Sequence, residues 1–128
     1  EPVKRLLHLC GDPPIVLKDI DVLTVAGVLA QACLFVGQDS GITHLAGLMG
    51  VHTVALFGPT DPDRWAPQGA HVAVVQGAPC LCSSWNDVSR CQEKPCLVIQ
   101  QDHLVAQCFA HLKETSASAE NPVRLPCH

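Results

Sequence analysis

Asp39-Ser40-Gly41-Ile42-Thr43-His44-Leu45-Ala46-Gly47-Leu48-Met49-Gly50, and shortly after it Thr53-Val54-Ala55-Leu56-Phe57-Gly58-Pro59-Thr60-Asp61-Pro62, is the stretch on which the fold is read. Thr53 to Phe57 is a short, almost wholly apolar run closed by a glycine and a proline, the pattern of a buried strand. Leu34-Phe35-Val36-Gly37, just before the first stretch, has the same character. Thr43 to Met49 between them is spaced as a short helix, and Gly50 is well placed to stop it. Strand, helix and strand make a βαβ unit, whose two strands run parallel. Gln38-Asp39-Ser40-Gly41 and Gly58-Pro59-Thr60-Asp61 then leave the sheet at its carboxyl edge, where open α/β sheets bind their ligands.

Outward from this unit the pattern continues. Asp21 stands as a cap before Val22, Leu23, Val25, Ala26, Val28, Leu29 and Ala32, which have helical spacing. Ile15-Val16-Leu17 reads as a short buried strand, and Leu6 to Leu9 as a strand or a helix end. His71 to Val75 reads as a further strand. Cys80 to Cys96 reads as an irregular loop. Leu104, Val105, Cys108, Phe109 and Leu112 fall on one face of an amphipathic helix over Asp102 to Leu112. The whole predicts an α/β protein, a Rossmann-like parallel sheet flanked by helices, as one domain over residues 1–114 with a flexible tail at 115–128. So few parallel strands leave the sheet edges unpaired. With 128 residues and no initiator methionine, we expect a piece of a longer enzyme.

The composition excludes several classes. Of the residues, 48% are hydrophobic and 16% charged, which suits a folded chain rather than a disordered one. A net charge of −4 with no basic block disfavours nucleic acid or an anionic membrane surface as partner. No run approaches the roughly 18 apolar residues of a membrane span, and no signal-peptide profile opens the chain.

The first loop opens a helix, so free N–H groups near Gly41, Ile42 and Thr43 converge on one spot. The helix dipole there favours an anion by about 0.3–1 kcal/mol. Gly41 lets a phosphate reach the backbone, and Ser40 and Thr43 bring hydroxyl donors, so a diphosphate fits. Asp39 would repel a phosphate and suits sugar hydroxyls instead. A plain reading stands beside this one: Asp39 or Ser40 caps the helix, Gly41 serves a turn, and His44 is a first-turn histidine.

The two linked segments resemble the signature of the ADP-heptose:lipopolysaccharide heptosyltransferases, glycosyltransferase family 9. That family carries Asp-(Ser/Thr)-Gly-x-x-His-Leu-Ala, a helix of small residues, and a strand ending Phe-Gly-Pro-Thr-x-Pro. Trp65, Pro67 and Gly69 match an aromatic-x-Pro-x-Gly continuation. The resemblance implies the C-terminal, donor-binding half of a GT-B fold. It places Ser40, Gly41, Ile42 and Thr43 at the donor diphosphate, Asp39 and His44 near the transferred sugar, and Gly58, Thr60 and Asp61 along the same pocket. It further implies inverting transfer from an ADP-heptose-like donor to a lipopolysaccharide core or related glycan acceptor. It requires no cofactor and no essential metal, and its base lies in another domain, so no catalytic residue is assigned here. A cytoplasmic location, with the parent peripheral at the inner face of the inner membrane, goes with it. His52 stands where the family usually has proline, and we read it as a surface change.

Eight cysteines are present. Cys80, Cys82, Cys91 and Cys96 share one loop. The first reading is free thiols; tetrahedral zinc and a disulfide are the alternatives. Cys10, Cys33 and Cys108 read as core residues and Cys127 as an exposed tail thiol. Two rivals to the transferase reading remain: a nucleotide-sugar epimerase on the same fold, and a zinc-stabilised interaction module with a degenerate sugar site.

Overall fold

The computed structural model describes residues 2–82 and 84–117. The elements run α1 (Pro2–Leu9), α2 (Val22–Gln31), β1 (Phe35–Gln38), α3 (Gly41–Leu48), β2 (Thr53–Phe57), α4 (Pro62–Trp65), β3 (Val72–Gln76), α5 (Trp85–Arg90), a 3-10 turn (Pro95–Leu97) and α6 (Gln101–Ala117). The strands form one parallel sheet in the order β1-β2-β3. Phe35 lies level with Thr53 and Thr53 with Val72.

β2 is central and almost wholly buried, which explains its unbroken apolar run. Neighbouring side chains on a strand face opposite ways, and Val54 and Ala55 are both fully covered, so both faces of the sheet are shielded there. α3 and α6 are the helices that lie against it. On the α3 side, Leu29, Ala46 and Val51 form a buried cluster, joined by Val25, Ala32, Phe35, Ile42 and Leu45.

Local chemistry sets the ends of these elements. The Asp21 carboxylate accepts from the N–H groups of Leu23 at 2.9 Å and Thr24 at 3.0 Å, satisfying two donors that the first turn of α2 leaves open. At the end of α3, Gly50 takes φ +72°. Its N–H reaches the Gly47 carbonyl at 3.0 Å, and the Val51 N–H reaches Ala46 at 3.1 Å. This is a Schellman stop, which needs a left-handed residue at that position. The chain then turns straight into β2.

Four expectations change. Ile15-Val16-Leu17 forms no strand; it is exposed chain with no regular structure, because no neighbouring strand lies beside it to accept its backbone. On α6, Val105 and Phe109 face outward, and the covered side carries Leu104, Cys108, His111, Leu112 and Thr115. The loop from Cys80 to Cys96 is not wholly irregular, since it holds α5 and the 3-10 turn. Thr115 to Ala117 belong to α6, and buried Thr115 donates to the Cys33 carbonyl at 3.2 Å. The rest of the expected tail, with Cys127, lies outside the described residues.

Candidate functional site

The loops after β1, β2 and β3 leave the sheet together at its carboxyl edge. The ladder runs to its last rungs there: the Asp39 N–H bonds the Leu56 carbonyl and the Gly77 N–H bonds Phe57, both at 3.1 Å. Asp39, Ser40 and the first turn of α3 therefore stand beside Gly58, Pro59 and Thr60, and the edge brings the two predicted loops side by side.

Ser40 is the N-cap residue of α3, but its side chain makes no capping bond. Its hydroxyl instead meets the Thr43 hydroxyl at 3.1 Å. The N–H groups of Thr43 and His44 both return to the Ser40 carbonyl. Those of Gly41 and Ile42 meet no acceptor among the described residues. A Cβ built on Gly41 meets nothing within 4 Å, so packing does not demand glycine there. The helix start thus leaves two N–H groups with no acceptor among the described residues, an arrangement an anion can use. Asp39 and His44 are half-buried beside it.

Thr43 plays a different part from the one its hydroxyl suggested. It is fully buried, and its Oγ1 donates to the Gln38 carbonyl at 2.5 Å. That bond fastens the start of α3 to the end of β1, so Thr43 supports the loop from beneath. The Asp61 carboxylate caps the single turn of α4 by accepting from the Asp63 N–H at 3.0 Å. Thr60 Oγ1 is buried and has no hydrogen-bond partner among the described residues. A buried polar atom in that condition is a place where a water or a ligand can bond.

At the opposite end of the strands lies a cluster missed in the sequence. His52 is not a surface change: it is 3% exposed, and its ring stacks on His71 with centroids 4.2 Å apart. Its Nδ1 lies 3.0 Å from Nδ1 of buried His111, and Glu114 is 3.8 Å away. One imidazole must donate and the other accept across that contact. The signal was available in part: His52 and His71 each precede a strand by one residue, and the strands pair in register.

Beside the donor edge, the Cys80–Cys96 segment turns its thiols together. The sulfurs of Cys80, Cys82 and Cys96 lie within 4.8 Å of one another. Partial burial, with the Cys80 and Cys91 thiols alongside, pushes the Cys82 thiol up to about 12. Burial raises Cys80 too, but hydrogen bonds from Cys96 and Cys82 outweigh it and leave that thiol below its ordinary value. Of the three cysteines read as core residues, Cys10 is exposed, Cys108 is half-buried and Cys33 is disulfide-bonded.

A parallel sheet flanked by helices, with its loops gathered at the carboxyl edge, is a Rossmann-like arrangement. Residues 1–97 match the family model of glycosyltransferase family 9 (heptosyltransferase), and the chain belongs to that family. A solved structure, the family 9 glycosyl transferase from Veillonella parvula DSM 2008, aligns with 88% of this chain at 24% identity and a TM-score of 0.75. The chain spans only 33% of that structure. No curated protein sequence matches it.

Proposed function

We propose that this chain is the donor-binding part of an inverting glycosyltransferase that moves a heptose or similar sugar from a nucleotide-diphosphate donor to a lipopolysaccharide core or related glycan. Family membership supports the reaction class. The observation that carries the site is the uncapped start of α3, with Gly41 opening onto space. The N–H groups of Gly41 and Ile42 take the diphosphate, and Ser40 adds a hydroxyl. As the glycosidic bond to the donor breaks, negative charge grows on the leaving diphosphate, and these fixed dipoles stabilise it without reorganising. Asp39 and His44 accept and orient hydroxyls of the transferred sugar. Thr60 offers its orphaned hydroxyl from the neighbouring loop. The base that takes the acceptor's proton is supplied by the rest of the enzyme, as is most of the acceptor site.

Gly41→Val tests this cleanly, because a Cβ there meets no protein atom within 4 Å and the fold should survive. Titration of the chain with ADP, followed by backbone amide shifts, should place the largest changes at Gly41 and Ile42. The variant should bind about tenfold more weakly or worse. Unchanged ADP affinity in a folded Gly41→Val protein would overturn the assignment. Asp39→Ala should leave ADP binding intact yet weaken the intact sugar nucleotide.

A further inference from the structure

Away from the donor loops, one segment has local hydrogen bonds but little apolar packing among its described residues. Between Ala78 and Val98, only Val88 and Cys96 are buried among the described residues, while Leu81, Trp85 and Leu97 are exposed. Apolar packing alone is too thin to order some twenty residues against their conformational entropy. Yet the segment is seated closely on the sheet: the Cys96 backbone lies so near Gly77 that a Cβ there would collide with it, and the Leu97 side chain would stand 3.1 Å from one on Gly58.

Cys80, Cys82 and Cys96 hold their sulfurs within 4.8 Å of one another, and the Cys91 thiol lies near enough to help raise the Cys82 thiol. Tetrahedral zinc, with Zn–S of about 2.3 Å, needs sulfurs about 3.8 Å apart, so these three need only a small inward movement and Cys91 closes the fourth position from the same loop. Two backbone donors already point at sulfurs: the Cys82 N–H at Cys80 Sγ and the Lys94 N–H at Cys91 Sγ, both at 3.3 Å. Lys94 adopts φ +48° to make its turn around Cys91. N–H groups aimed at sulfur favour the thiolate, the form that binds metal.

We propose that Cys80, Cys82, Cys91 and Cys96 bind one structural zinc ion as a closed tetrathiolate site. Four thiols each give up a proton and donate a sulfur pair to Zn²⁺, leaving a centre of net charge −2 with no redox change. Four protein ligands leave no open position, so the ion does no chemistry on substrate. Its work is to clamp the segment to the ends of β2 and β3. There Cys80, Cys82 and Cys96 share a cavity of about 210 Å³ with Gly58, Pro59 and Gln76, so the clamp fixes one wall beside the donor loop.

Elemental analysis of the untagged chain, purified from zinc-supplemented medium, tests the proposal. We expect one zinc per chain, and four thiols that react with a disulfide reagent only after chelation. The cobalt(II)-substituted protein should show sulfur-to-metal charge transfer and the ligand-field bands of a tetrahedral thiolate site. This readout reports the ligand set even if cysteine variants fold poorly. Cys91→Ser should weaken zinc binding by more than the roughly 10–100-fold that loss of an outer-shell partner costs, while Cys10→Ser should leave it unchanged. A folded protein with clearly less than one metal per chain would overturn the site. Iron in place of zinc, or cobalt bands of nitrogen and oxygen ligation abolished by His111→Ala, would overturn the assignment as well.

Discussion

At the scale of single residues, glycines with the same composition-level meaning serve opposite ends. Gly47 sits where a Cβ would stand 2.8 Å from the Gln68 carbonyl and 3.2 Å from Pro67, and a Cβ on Gly69 would strike the Gly47 carbonyl. These two allow α3 to lie against the chain that follows α4. A Cβ on Gly41 meets nothing within 4 Å, so packing leaves that position open and only the proposed diphosphate would crowd a side chain there. We expect Gly69→Ala to lower stability by about 1–3 kcal/mol in a denaturant melt, through overpacking, whereas Gly41→Ala should stay within roughly 0.5 kcal/mol of the parent. Asp21 gives a pH-dependent case. Its hydrogen bonds to the Thr24 side chain and backbone hold its carboxyl below the ordinary 3.8. A depressed folded-state value means the stabilisation is complete above the unfolded value and is lost as pH falls through the folded one. The difference in melting temperature between the parent and Asp21→Ala should therefore be present at neutral pH and shrink on acidification below that range. A gap that stayed constant into strong acid would show that the carboxylate's charge is irrelevant to the cap.

At the scale of elements, legibility followed how locally each is determined. β2 was read over Thr53–Phe57, the bounds it has in the structure, since a strand buried on both faces must be apolar throughout. Its side chains carry the centre of the molecule, and Phe57→Ala should cost about 3–5 kcal/mol by chemical denaturation. α2 and α3 announced themselves by a cap and a glycine stop. Ile15-Val16-Leu17 has equal local strand character and forms none, because a strand exists only where a neighbour pairs with it. α6 was found, but its inward side was misjudged, by roughly 50° about the helix axis. An apolar stripe names an amphipathic helix; it does not tell which flank meets the sheet when buried polar groups find partners. His111 meets His52, and Thr115 meets the Cys33 carbonyl, so both go inward while Phe109 is left outside.

At the scale of the whole molecule, the described residues hold three parallel strands with one carboxyl edge, which under the proposed function is one side of a cleft. The chain spans a third of the family 9 structure it aligns with. Glycosyl transfer needs a donor site, an acceptor and a base in reach of the acceptor hydroxyl, and only the first of these has candidates here. We expect residues 1–128 alone to bind ADP but to give no multiple turnovers with ADP-heptose and a heptose-deficient lipopolysaccharide. Steady turnover by this chain would move the acceptor site and base into it and overturn the half-cleft reading.

The sequence by itself determined the βαβ unit, the edge at which its loops meet, and the family signature along them. Those properties come from neighbours in the chain: burial period, a cap, a left-handed stop and the direction a parallel crossover imposes. Tertiary structure alone decided that Thr43 supports the loop from below, that His52 and His111 meet, and that the sulfurs of Cys80, Cys82 and Cys96 draw together. Each of these joins groups whose separation is set by how helices and loops seat on the sheet. No spacing along the chain encodes such a distance.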